Sequence, residues 1–383
     1  MTRPRSGAHL AALAVTQVIA WGVLYYAVLV AAPAIADETG WDERAIFLAI
    51  TAGLLTSAVS AVPVGRWLDR HPRRVMVTGA IVGTIALLAA AASPTIWIFA
   101  AAWIVCGTAQ AAVLYQAAFT VITHRYHSDR RGPLTLVTLA GGLASTIFAP
   151  LTGWLVLEVG WRVAFVVLAA ILAAAAIPTY ALTVERAWPH LDKVAERDGA
   201  SRRILRSRRF WILASSFALM SFSLYAVTLS AVPASVEKGF DLQTAAWVLG
   251  VIGAGQVFGR LLYMTLPRTA APWIAAMLAG LLGSSALWAF AFVGGTLGIL
   301  IAGLAAGAVR GALTLVQASA VADRWGVDSY GRLNGALAAP VMALTAFAPG
   351  AAALVAGALG SYASMAFVMA VVCAVGGLLA IRR

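Results

Sequence analysis

Long apolar runs alternate with short polar connections along all 383 residues of the chain. The runs fall near residues 10–34, 44–64, 75–92, 94–119, 134–157, 161–182, 210–234, 243–265, 272–291, 295–320, 333–356 and 360–380. A helix needs roughly 20 apolar residues to cross about 30 Å of hydrocarbon, and each run meets that length within a few residues. The pattern predicts an all-α membrane protein with twelve transmembrane helices. The first run follows Arg3 and Arg5, but it is longer than the ~7–15 apolar residues of a cleaved leader and is read as a retained helix.

Composition agrees: 62% of residues are hydrophobic and 11% charged, against about 25% charged in a soluble domain. It also settles how the net charge of +12 is read. In a soluble chain such a charge suggests nucleic acid. Here the basic residues segregate by loop, with 22 of 27 Lys and Arg on one side and only Arg44, Arg162 and Lys238 on the other. Cytoplasmic loops retain Lys and Arg, so both termini are expected in the cytoplasm of a bacterial inner-membrane protein, with a basic surface facing lipid headgroups.

The longest polar stretch, 185–209, divides six spans from six. It reads as a cytoplasmic linker between an N-terminal bundle, 1–184, and a C-terminal bundle, 210–383. The halves echo each other. GTAQAAVLYQAA (Gly107–Ala118) resembles GAVRGALTLVQAS (Gly307–Ser319), His124-Arg125-Tyr126 falls where Asp323-Arg324-Trp325 does, and IFAPL (Ile147–Leu151) resembles AFAPG (Ala346–Gly350). Two pseudo-symmetric six-helix bundles follow, a recurring design of secondary transporters. Pro150 and Pro349 are expected to kink their helices.

The loop after the second span reads VGRWLDRHPRRV (Val64–Val75). It resembles the signature of the major facilitator superfamily through Gly65, Asp69, Arg70, Arg73 and Arg74, with His71-Pro72 where a second glycine is usual. The resemblance implies that the glycine permits close helix packing and that the charged residues form a cytoplasmic relay holding one access state. The corresponding segment of the second half, Gly259–Thr269, keeps only Arg268 and has Pro267 at the position of Asp69.

Absences narrow the chemistry. The chain has no Gly-rich loop ending in Gly-Lys-Ser/Thr, no H-E-x-x-H and no G-x-S-x-G, so nothing points to ATP hydrolysis or to an enzyme. No cofactor or metal is expected. His9, His71, His124, His127 and His190 map to predicted tails and loops and read as solvated, while Cys106 and Cys373 lie inside apolar runs as packing residues.

Arg310 stands alone. No charged residue lies between Arg268 and Arg310, and the next is Asp323. At ~1.5 Å per residue Arg310 is ~20 Å from that aspartate, too deep to snorkel, and should face the bundle interior or a water-filled cavity. All 15 acidic residues fall in loops, tails or helix ends. A carboxylate ligand would relieve the buried cation through a bidentate contact; capping by carbonyls, glutamines and water is the competing structural reading.

Arg260, in AGQVFGRLLY, is a second candidate, either cavity-facing or reaching toward the headgroups. Its surroundings resemble the prokaryotic monocarboxylate transporter and oxalate-formate exchanger branch of the superfamily. There an eighth-helix arginine binds the substrate carboxylate, one turn after a proton-coupling aspartate whose position here holds Gln256. The stretch Ala20–Pro33 followed by TGWDE also resembles this branch.

Gln17, Tyr25, Tyr26, Tyr115, Gln116, Tyr225, Gln256 and Gln317 are the polar groups expected to orient the rest of a ligand, or else to serve as anchors and interhelical glue. The pairs Gly255/Gly259 and Gly303/Gly307/Gly311 predict close helix packing. The expected function is secondary transport of a small organic anion by a monomer, with a co-transported proton or a counter-transported anion. A drug or metabolite exporter and a non-transporting membrane sensor are the alternatives.

Overall fold

The computed structural model describes residues 4–188, 194–265 and 271–381; His190, Pro267 and Arg268 lie outside the described residues. No strand occurs among the described residues. The helices are α1 (Pro4–Trp21), a π turn (Gly22–Tyr26), α2 (Ala27–Thr39), α3 (Glu43–Leu68), α4 (Pro72–Ala91), α5 (Ile96–Val113), α6 (Tyr115–Tyr126), α7 (Arg131–Gly142), α8 (Ala144–Thr183), α9 (Val194–Leu205), α10 (Arg208–Leu229), α11 (Ala231–Glu237), α12 (Leu242–Tyr263), α13 (Pro272–Phe292), α14 (Thr296–Trp325), α15 (Tyr330–Leu359) and α16 (Tyr362–Leu379).

Nine helical stretches among the described residues are long and apolar enough to cross a bilayer, and α15, bent by 55° between Ala348 and Gly350, makes a tenth. The bend falls where Pro349 was expected to kink the chain. Two further apolar segments lie within a longer stretch or fall short of that length. The stretch Arg131–Thr183 is broken at Gly160, whose φ of 77° is non-helical, so it holds the fifth and sixth predicted runs. The eighth is α12, whose apolar part, Trp247–Tyr263, is shorter. Large apolar side chains such as Trp97 (81% exposed) and Leu157 (86%) point outward, a surface suited to lipid and not to water.

The chain packs as two compact units. The first comprises Met1–Ser201 with Gly326–Ala339, and the second Arg202–Trp325 with Pro340–Arg383. The division falls inside the 185–209 stretch, which is partly helical as α9. The start of α15 packs with the first unit, a feature no hydropathy pattern carries.

Helix ends are satisfied individually. Asp42, Thr95, Ser207, Asp241 and Ser361 accept backbone N–H groups at the starts of α3, α5, α10, α12 and α16. Arg162 and Lys238 cap helix C-termini, where cations are favoured. Arg162 donates to Ala91 O at 2.7 Å and Ser93 O at 2.9 Å at the end of α4. Lys238 donates to Phe290 O at 2.6 Å and Val293 O at 3.2 Å at the end of α13.

Candidate functional site

In the second unit α12 and α14 are held by glycines. A Cβ on Gly259 would strike the Ala308 carbonyl, one on Gly307 the Ile252 carbonyl, and one on Gly311 the Gln256 carbonyl. Only glycine permits this approach, and it fixes the register that carries Arg260 on α12 and Arg310 on α14. One turn beyond Arg260, the Tyr263 hydroxyl donates to Ser319 Oγ at 2.9 Å, tying the same two helices.

Arg310 is half-buried and gripped from α10. Its Nη1 donates to Thr228 Oγ1 at 3.0 Å, and its guanidinium carbon lies 3.7 Å from the centre of the Tyr225 ring. Such stacking attracts a cation to the ring face and fixes the guanidinium plane. Thr228 in turn donates to Leu224 O at 2.6 Å, so its lone pair is aimed at the arginine. Nε of Arg310 has no partner, which leaves that N–H without an acceptor. A guanidinium offers parallel N–H groups that match the two oxygens of a carboxylate.

Arg260 is buried, at 7% exposure, and its Nε also has no partner. Tyr225 lies within electrostatic reach of both arginines. No carboxylate pairs with either arginine among the described residues. Gln256 and Gln317 are half-buried and make no side-chain hydrogen bond among those residues.

The first unit brings together Trp21, Tyr25, Tyr26 and Tyr115. Trp21 lies 5.3 Å from Tyr25 and 4.8 Å from Tyr115, and Tyr25 lies 5.1 Å from Tyr26. Two irregularities create the cluster: the π turn ending at Tyr26, and the break at Leu114 (ψ −165°) between α5 and α6. The Tyr115 hydroxyl donates to Thr138 O at 3.0 Å. Gln17 donates to Val113 O at 2.6 Å and is fully buried, and Gln116 donates to Ala61 O at 2.6 Å, so both amides join helices.

In the signature loop, Asp69 Oδ1 accepts the Gly331 N–H at 2.7 Å and Oδ2 the Arg332 N–H at 2.8 Å. The carboxylate thus sits on the first turn of α15, where negative charge is stabilised. Gly65 backs against the Gly331 carbonyl, leaving no room for a side chain. Arg73 Nε donates to Val184 O at 2.7 Å; Arg70 is half-buried and Arg74 exposed.

His124 departs from its solvated reading. It is 6% exposed, lies 2.9 Å from Asp69 Oδ1, and stacks on Trp188 at 4.7 Å. Trp188 closes over it after the sixth span and donates to Leu68 O at 3.2 Å. Thr228, Trp21 and Trp188 were not singled out from sequence. Thr228 had a signal, because three residues from Tyr225 places it on the same helical face.

A helical membrane protein with a buried cationic site defines a carrier-like class, and the comparisons name it. Residues 13–314 match the family described as Major Facilitator Superfamily, and the chain belongs to that family. That family is one of membrane transporters, not of enzymes. A protein described as an MFS-type efflux pump, from Mycolicibacterium smegmatis (strain ATCC 700084 / mc(2)155), is 27% identical over 210 residues, covering 52% of this chain and 46% of that protein. The chain thus matches about half the length of that relative. The fold is similar to the transporter FucP in its outward conformation, with a TM-score of 0.75 and 16% identity over 97% of each chain. It is equally similar to a variant of the E. coli fucose:proton symporter FucP, with a TM-score of 0.74 and 17% identity over 99% of this chain and 98% of that one.

Proposed function

We propose that the chain is a secondary carrier that moves a small organic anion of monocarboxylate type by alternating access of its two six-helix halves. The observation that carries this reading is the unpartnered Nε of Arg310, whose guanidinium is oriented by Thr228 and Tyr225. Arg260 supplies a second positive charge, and Gln256 and Gln317 offer hydrogen bonds to the rest of the ligand. Binding an anion neutralises a cationic site that has no acidic partner among the described residues, and so lowers the cost of closing it away from water. With Gln256 in place of an acid, coupling goes to anion exchange or to a proton travelling with the substrate. The segregation of Lys and Arg between the loops supports placing both termini on the cytoplasmic side of a bacterial inner membrane.

Uptake of labelled mono- and dicarboxylates into proteoliposomes tests this. Arg310→Ala and Arg260→Ala should abolish or strongly reduce uptake; full transport by both would overturn the anion site. The second reading is an exporter of apolar or cationic compounds. It is favoured by the efflux-pump relative and by the Trp21/Tyr25/Tyr26/Tyr115 cluster, and transport of cationic dyes in place of carboxylates would support it.

A further inference from the structure

Arg202, Arg203, Arg206, Arg208 and Arg209 are all exposed, and they fall within eight residues at the elbow between α9 and α10. None makes a side-chain hydrogen bond or ion pair among the described residues, and no acidic residue lies in sequence between Asp198 and Glu237. At ~1.5 Å per helical residue the five guanidiniums span on the order of 12 Å, comparable to a Debye length of about 8–10 Å, so their fields sum.

The elbow is a built structure. Ser207 Oγ donates to Ile204 O at 2.6 Å and accepts the Phe210 N–H at 3.3 Å, and the Trp211 indole donates to Leu205 O at 2.7 Å across the turn. Trp211 is 48% exposed and its N–H is already used internally, so the ring marks interfacial depth while pinning the arginines there. Arg208 and Arg209 also occupy the first turn of α10, where a helix favours negative charge. Five like charges in that setting call for an external anion at the membrane boundary.

We propose that this elbow binds the phosphate headgroups of anionic phospholipids in the leaflet where the tenth helix begins. Planar guanidiniums engage phosphate bidentately, and basic clusters immediately beside a membrane span attract anionic lipid. The seventh span, α10, carries Tyr225 and Thr228, so the occupied elbow would anchor the helix that orients Arg310.

The test titrates the full-length purified protein in neutral detergent with phosphatidylglycerol, phosphatidylcholine or inorganic phosphate and follows the melting temperature. Phosphatidylglycerol should raise it and the other two should not. R202Q/R206Q/R209Q should bind phosphatidylglycerol about 100-fold more weakly, at roughly fivefold per arginine removed. R130Q/R131Q/R186Q, with the same change in net charge elsewhere, should respond as the parent does.

An equal response by both triple variants, or an equal shift with inorganic phosphate, would overturn the site. Should the first variant fail to fold, a photoactivatable phosphatidylglycerol analogue on the unaltered protein decides. Label in residues 199–211 supports the proposal, and label elsewhere alone defeats it.

Discussion

Gln17 of α1 donates to the carbonyl of Val113 at 2.6 Å, at the residue where the fourth span breaks. Beyond the break the next amides turn elsewhere: Ala117 and Ala118 both donate to Leu114 O, so Val113 O has no helical donor. The exchange is reciprocal, because Gln110 of the broken span donates to Leu24 O at 2.8 Å inside the π turn of the first. Each helix carries an irregularity, and each supplies the amide that satisfies the other's.

Gln17→Leu and Gln110→Leu should each cost about 1–2 kcal/mol. An interhelical hydrogen bond in a membrane protein gives ~0.6–1.7 kcal/mol, and an orphaned buried carbonyl costs somewhat more. The two sites serve one junction, so the double variant should depart from additivity by ~0.5 kcal/mol or more. Denaturant unfolding in detergent measures all three, and strict additivity would count against a shared brace.

Arg310→Lys keeps the charge but removes the fork. Loss of one charge-assisted hydrogen bond of about 1.5–3 kcal/mol corresponds to roughly 10- to 100-fold weaker carboxylate binding. Thr228→Val removes the acceptor that holds Nη1, so it should raise KM with a smaller change in maximal rate. Concentration-dependent uptake separates the two, and equal kinetics for parent and Thr228→Val would remove Thr228 from the site.

Asp69→Asn should loosen the start of α15. The carboxylate accepts two backbone N–H groups there and faces His124, and an asparagine keeps only one good acceptor oxygen. A charged helix cap lost in this way costs about 1–2 kcal/mol. Hydrogen exchange of residues 326–336 should speed up in this variant and, to a lesser degree, in His124→Leu. Unchanged protection would show that the glycine contact between Gly65 and Gly331 suffices alone.

These contacts divide what a sequence carries from what it does not. The spans were legible because apolar length is a one-dimensional property, and Arg310 because a lone charge between Arg268 and Asp323 is visible in a string. The glycine spacing at 255/259 and 307/311 announced a close crossing that the structure contains. The break at Leu114 gave no signal, since GTAQAAVLYQAA holds no proline or glycine at the break, while the similar second-half segment runs unbroken through α14. Burial of His124 was equally silent, because its cover is Trp188, two spans further on. Local propensity decides neither; tertiary contacts do.

Asp241 supplies a pH dependence whose sign follows from its cap. The Thr244 hydroxyl, and then the Thr244 backbone N–H, hold its carboxyl below the usual value of 3.8. A depressed acid binds fewer protons folded than unfolded. Its contribution is therefore present above the unfolded pKa and lost as pH falls through the folded one. Asp241→Ala should melt below the parent at pH 7, and the gap should narrow on acidification below pH ~4. A gap independent of pH would mean that the charge plays no part in the cap.

Gly259→Val offers the sharpest contrast, because a control lies on the same helix. A side chain at 259 meets the Ala308 backbone, whereas one at Gly250 meets nothing within 4 Å. Overpacking of this kind costs about 1–3 kcal/mol, and backbone atoms cannot give way as a flexible side chain can. The strain must be relieved by separating α12 from α14, which moves Arg260 and Arg310 off their positions beside Tyr225. Gly259→Val should therefore lose both thermal stability and anion uptake, while Gly250→Val, relieved of glycine's unfolded-state entropy, should keep transport and melt no lower than the parent. Equal behaviour of the two variants would show that the crossing does not set the geometry of the arginines.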